Sequence, residues 1–240
     1  MEYSLPFKVD KKGLLYLDEE DIKIKNLDVK QIPVKDVIPA KFYAIDGIND
    51  LIIKDCTIKP FRFNRYENLK LLKSLIKRQE NVDKVEFPIG YTQVNNKFKG
   101  TLIPYYKDAV SIYEVMTFYT FEDLHQFYDK ESDDIDNFVS LLLEILEILK
   151  CLCENGIYYL DIGPTNFLLY NNSVKLIDFE PGRICFHEKK WNTNIMLMHY
   201  RVLVGTIIRN FKFKDAYLYR EIDFSNAEYY VKDLRKRLER

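Results

Sequence analysis

The chain has 240 residues, 47% hydrophobic and 30% charged, a balance that fits a folded globular protein and excludes a disordered one. Its 36 Lys and Arg against 37 Asp and Glu give a net charge of -1, without the basic surplus that a general nucleic-acid binder uses to meet phosphates. Gly and Pro, at 8 each, are too scarce for long flexible linkers.

The start, "MEYSLPFKVDKKGLLYLDEED", has no apolar stretch behind its charges, so export by a signal peptide is not expected. The first half reads mainly as strands. "GLLYLDEEDIKIKNL" holds short alternating segments, and "AKFYAIDGINDLIIKDC" reads as two strands around a turn at Asp46–Asp50. Next, "NRYENLKLLKSLIKRQE" carries Leu69, Leu72, Leu75 and Ile76 at helical spacing, with Asn64 and Glu67 placed as a capping box. Two more strand-like runs follow, "KVEFPIGYTQVNN" and "FKGTLIPYY".

The second half is mostly helical. "ESDDIDNFVSLLLEILEILKCLCENG" opens on Ser and Asp caps and stops at Asn155-Gly156. Its apolar residues cover nearly the whole circumference, which predicts a central core helix. Glu144, Glu147 and Lys150 interrupt it too often for a membrane span. "FLLY" and "VKLIDF" then read as strands around a turn at Asn171–Ser173, and the tail as helices "NTNIMLMHYRVLVGTIIRNF" and "NAEYYVKDLRKRLER". Cys56, Cys151, Cys153 and Cys185 show no zinc spacing and read as buried, reduced thiols of a cytoplasmic protein. His125, His187 and His199 lack metal-ligand spacing. The order of elements predicts two lobes with a boundary near Tyr105–Val110.

One stretch concentrates chemistry: "YYLDIGPTNFLLYNNSVKLIDFEPG" places Asp161, Asn166 and Asp178 within hydrophobic surroundings. Burying a carboxylate is costly unless it is paired, hydrogen-bonded or bound to metal. "GIYYLDIGPTNFLL" followed by "VKLIDFE" resembles the catalytic and metal-binding loops of the protein-kinase-like superfamily, in which H-R-D-x-x-x-x-N precedes a hairpin and D-F-G. The resemblance implies an α+β, bilobal fold: a β-rich N-lobe with one helix over residues 1–104, a hinge at 105–110 and a helical C-lobe over 111–240. It also implies ATP and Mg²⁺ as cofactors, with Asp161 orienting and deprotonating an attacking hydroxyl, and Asn166 and Asp178 holding the metal. More weakly, it places Lys54 at the nucleotide phosphates, paired with Glu67; Lys59 is the alternative if the strand register differs.

The sequence departs from the family pattern in several places. No Gly-rich phosphate loop precedes the small-lobe strands, where "QIPVKDVIPAKFYAIDG" offers Pro33 and Pro39; Tyr159 and Leu160 replace His and Arg, Gly163 replaces a Lys, and Glu180 replaces the Gly of D-F-G. Only 60 residues follow Glu180, which suggests a trimmed large lobe. These features are similar to aminoglycoside and choline kinases, and "DIGPTNFLL" with "VKLIDFE" resembles bacterial kinases of lanthipeptide biosynthesis, which act on Ser or Thr of a precursor peptide. The expectation is therefore transfer of the γ-phosphoryl group to a peptide or protein hydroxyl, without nucleic-acid or membrane partners. The alternatives are a small-molecule kinase and a pseudokinase that binds a partner without chemistry. The missing glycines favour the pseudokinase, because glycine lets backbone N–H groups approach phosphates closely.

Overall fold

The protein is described by a computed structural model covering residues 7–9, 15–17, 23–24, 29–32, 41–45, 48–55, 85–86, 90–94, 97–131, 133–179, 184–186, 189–211, 229 and 233. The fold is mixed α+β, with small sheets, and the chain divides into two compact units. The first comprises residues 1–80, 86–107 and 178–182; the second comprises 81–85, 108–177 and 183–240. The expected helix 64–80 with its Glu67, and the competing Lys59, lie outside the described residues, as does all of the expected helix 226–240 except Tyr229 and Asp233, both helical.

The first unit is built on a five-stranded antiparallel sheet. Strands β4 (Val29–Ile32), β5 (Lys41–Ile45), β6 (Ile48–Asp55), β7 (Gly90–Val94) and β8 (Lys97–Pro104) are arranged in the order β4-β5-β6-β8-β7. A smaller sheet joins β1 (Phe7–Val9), β2 (Leu15–Leu17) and β3 (Lys23–Ile24). The Ile-rich centre of β6 forms a strand readily, since branched side chains pack well on a pleated surface. Leu51, Ile52 and Ile53 are buried along it, with Ile45 from β5. The turn between β5 and β6 is shorter than Asp46–Asp50: Ile48 already pairs with Ile45 across a bulge at Ala44/Ile45. Asp50 belongs to the strand because its carbonyl accepts from the Tyr105 N–H at 2.8 Å, a partner distant in sequence.

The second unit is organised around helix α2 (Asp134–Glu154), preceded by α1 (Ile112–Phe118) and followed by α3 (Lys189–Asn210). Asp133 caps α2, its carboxylate accepting from the N–H groups of Ile135 at 2.8 Å and Asp136 at 3.2 Å. Gly156 ends it at φ 68°, a left-handed conformation that only glycine adopts cheaply. Phe138, Leu142, Ile145, Ile148, Leu149 and Leu152 are fully buried on this helix, each contributing about 1.5–3 kcal/mol by leaving water. Helix α3 offers Met196, Tyr200, Leu203, Val204 and Ile207 as a buried stripe at helical spacing. The Tyr200 hydroxyl donates to the Leu142 carbonyl at 2.9 Å, joining the two helices. No helix among the described residues is long and apolar enough to cross a membrane.

Two small β-structures complete this unit. Strand β10 (Ile157–Tyr159) pairs antiparallel with β13 (Ile184–Phe186), and β11 (Phe167–Tyr170) lies between β9 (Val110–Ser111) and β12 (Ser173–Leu176). The β11–β12 hairpin alternates as a half-buried ribbon should, with Phe167 opposite Leu176 and Leu169 opposite Val174 all buried. Asn171 and Asn172 form its two-residue turn at φ 49° and 55°, the positive values that a tight hairpin turn requires and asparagine tolerates.

Candidate active site

Asp161 follows β10 and Asn166 closes the short 3-10 turn Pro164–Asn166, which leads directly into β11. Pro164 suits the first position of that turn because its fixed φ is already helical and no N–H is needed there. The turn is closed by the Asn166 N–H donating to the Gly163 carbonyl at 3.0 Å. The buried Asn166 amide nitrogen donates to the Asp161 carbonyl at 2.8 Å and to its carboxylate Oδ2 at 3.1 Å. A carbonyl and a carboxylate can only accept, so these contacts fix which end of the amide is nitrogen. The amide nitrogen is thus directed at Asp161, and Oδ1 is the end left to accept, with Thr165 Oγ1 at 3.4 Å.

The end of the hairpin is held just as closely. Ile177 N–H donates to the Asn166 carbonyl at 2.9 Å, and the Tyr159 hydroxyl donates to the Ile177 carbonyl at 3.1 Å. Tyr159 stands where the family pattern has His, and its fully buried ring braces the residue before Asp178. Asp178 then turns to φ 72°, a strained value outside glycine of the kind that clusters at functional sites. This turn ends the strand at Leu176, short of the "VKLIDF" run.

Asp178 belongs with the first compact unit, where Lys54 Nζ donates to its Oδ1 as an ion pair. Both side chains are largely withdrawn from solvent, at 12% and 11% exposure, so each is the other's charge compensation. Lys54 also lies over the Phe42 ring at 6.0 Å. The structure thus groups the expected residues as two pairs, Lys54 with Asp178 and Asp161 with Asn166. Among the described residues, no three His, Cys, Asp or Glu side chains gather as a metal-ligand set. Asn166 offers an amide oxygen and Asp178 a carboxylate, donor types that suit a hard, oxygen-seeking cation such as Mg²⁺. Cys151, half-buried, and Cys153, buried, lie on α2 and neither is in a disulfide.

One residue near Asp161 carried no sequence signal. His199, on α3, lies 3.4 Å through Nε2 from the Tyr158 hydroxyl. Burial lowers its pKa below the ordinary imidazole value, against the pull of the Asp161 carboxylate. Its separation of 38 positions from Asp161 matches no motif spacing, and only the packing of α3 on β10 brings it there.

No family model matches the chain. Over 72 residues it is 42% identical to the probable serine/threonine-protein kinase yakA of Dictyostelium discoideum, a segment that is 28% of this chain and 5% of that protein. The chain thus spans a small part of the curated relative it matches, and the likeness is a partial, kinase-like one.

Proposed function

We propose that this protein is a bilobal, protein-kinase-like phosphotransferase that moves the γ-phosphoryl group of ATP to a hydroxyl on Ser or Thr of a peptide or protein. The observation that carries this reading is the Asp161–Asn166 pair, in which the amide's donors are spent on Asp161 and its oxygen is turned to accept. Bound Mg²⁺ would neutralise phosphate charge, and catalysis in such chemistry is mainly positioning and electrostatic stabilisation. Asn166 Oδ1 and the Asp178 carboxylate are the ligands assigned to it. Asp161 accepts the proton of the attacking hydroxyl, held in place by Asn166. Lys54 supplies a cation for the α- and β-phosphates, and its pairing with Asp178 sets the phosphate-binding and metal-binding groups side by side. Glu67 is assigned as the partner that orients Lys54. The similarity to a probable serine/threonine-protein kinase supports phosphotransfer at the level of reaction class.

A second reading, a pseudokinase that binds a partner, is favoured by the missing Gly-rich phosphate loop, in whose place stand Pro33 and Pro39. A thermal-shift titration separates the two, since a ligand bound only by the native state raises its stability, by about 2.7 kcal/mol at a hundredfold excess over Kd. Millimolar ATP with Mg²⁺ is expected to raise Tm, with the rise abolished by EDTA and by Asn166→Ala combined with Asp178→Ala. An unchanged Tm at millimolar ATP and Mg²⁺ would favour the partner-binding protein.

A further inference from the structure

The reaction assigned above leaves His199 unused, although it lies within the electrostatic reach of Asp161. The imidazole is half-buried on α3 and meets the Tyr158 ring edge-on, with centroids 6.3 Å apart. Tyr158 is the middle residue of β10 and is buried, so its hydroxyl needs a polar partner in an apolar setting. Burial disfavours the imidazolium, and a neutral ring can accept the Tyr158 O–H at Nε2. Tyr158 and Asp161 are three residues apart, so a helix that grips Tyr158 also bears on the backbone that presents Asp161. Asn166 also holds Asp161, through both its carbonyl and its carboxylate.

We propose that His199 is a positioning residue for Asp161: through Tyr158 it ties α3 to the end of β10 and sets where the carboxylate stands. Its catalytic part rests on the kinase reading; its structural part does not. The consequence falls on turnover rather than on nucleotide binding, because the contact is made to the Asp161 side of the loop and not to Lys54 or Asp178.

The first test is independent of activity. The imidazole titration of His199 is followed by NMR in the intact chain, assigned with His199→Gln, and compared with the Asp161→Asn variant. Removing the Asp161 charge is expected to lower the His199 pKa, and an unshifted titration would overturn the inference. The second test is kinetic, with labelled ATP and a library of peptides centred on Ser or Thr. His199→Phe is expected to lower kcat by about tenfold, the scale of a small misplacement of a catalytic group, with KM for ATP unchanged and a fall in Tm too small to account for the loss. His199→Gln, which keeps an acceptor for the Tyr158 hydroxyl, is expected to recover much of the loss. An unaltered kcat in His199→Phe, or a fall in Tm that accounts for the whole loss, overturns the positioning role. Wild-type chain that transfers no phosphate would instead sink the kinase reading, and the catalytic role of His199 with it, whatever the titration shows.

Discussion

Replacing the Asn166 amide with a carboxylate of the same shape isolates what holds the Asp161 loop. Asn166→Asp removes two donors and sets an anion against the Asp161 carbonyl and carboxylate, both acceptors. Losing hydrogen bonds to these part-buried acceptors costs about 1–3 kcal/mol, and more where charges meet. The expected outcome is a loss of that order in chemical denaturation at neutral pH, shrinking at acid pH as the new carboxyl gains a proton. A variant as stable as wild type would mean that the amide contacts do not hold the loop. Lys54 offers the complementary case. Lys54→Met removes the ion pair from an Asp178 carboxylate at 11% exposure, and breaking such a pair on one side costs about 3 kcal/mol. Lys54→Met combined with Asp178→Asn, which removes the charge and tolerates the left-handed backbone, is expected to be more stable than Lys54→Met alone, as read from the urea midpoints. The reverse order would show that the pair is not mutually compensating.

At the scale of elements, Glu144 joins parts of the second unit that are far apart in sequence. Its carboxylate accepts from Tyr128 at 2.9 Å, Lys130 at 2.7 Å and Ser173 at 2.9 Å, so α2 is tied both to the segment before it and to the β11–β12 hairpin. Burial alone would raise the Glu144 pKa, but the hydrogen bonds from Lys130, Ser173 and Tyr128 together hold it below its ordinary value. A carboxyl whose folded pKa is depressed stabilises the fold above its unfolded value of about 4.5, and that contribution is lost as pH falls through the folded value. Glu144→Gln is therefore expected to be less stable at neutral pH and to lose less stability between neutral and acid pH, as followed by urea denaturation across that range. A stability profile parallel to wild type would contradict this.

The same elements show what the sequence made legible. The limits of α2 followed from Asp133, Gly156 and an all-round apolar pattern, and the hairpin turn followed from Asn171 and Asn172, because these signals are local. Helix α1 escaped, although Ser111 and Glu114 form a complete capping box with bonds of 3.1 and 3.0 Å. Helix α3 begins at Lys189, three residues before the expected Asn192. Where partners are distant, as with Asp50 and Tyr105 or His199 and Tyr158, no spacing along the chain could announce them. The two residue pairs of the candidate site were legible as residue types in a motif, but the partnership of Lys54 with Asp178 spans 124 positions.

For the whole molecule, the chain changes unit within the motif: Ile177 belongs to the second unit and Asp178 to the first. Asp161 and Asn166 therefore lie in one unit and Lys54 and Asp178 in the other, and the phosphotransfer proposed above assigns a role to each. The direct measurement is transfer of labelled γ-phosphate from ATP to the Ser/Thr peptide library, with and without Mg²⁺, by wild type, Asp161→Asn and Asp178→Ala. Losing a catalytic base costs about 10²–10⁴-fold in rate. Asp161→Asn is therefore expected to lose transfer on that scale while keeping the ATP-induced rise in Tm, whereas Asp178→Ala is expected to lose both. Label on peptide that needs Mg²⁺ and vanishes in both variants is the predicted result; undiminished transfer in both variants, or none by wild type, would contradict it.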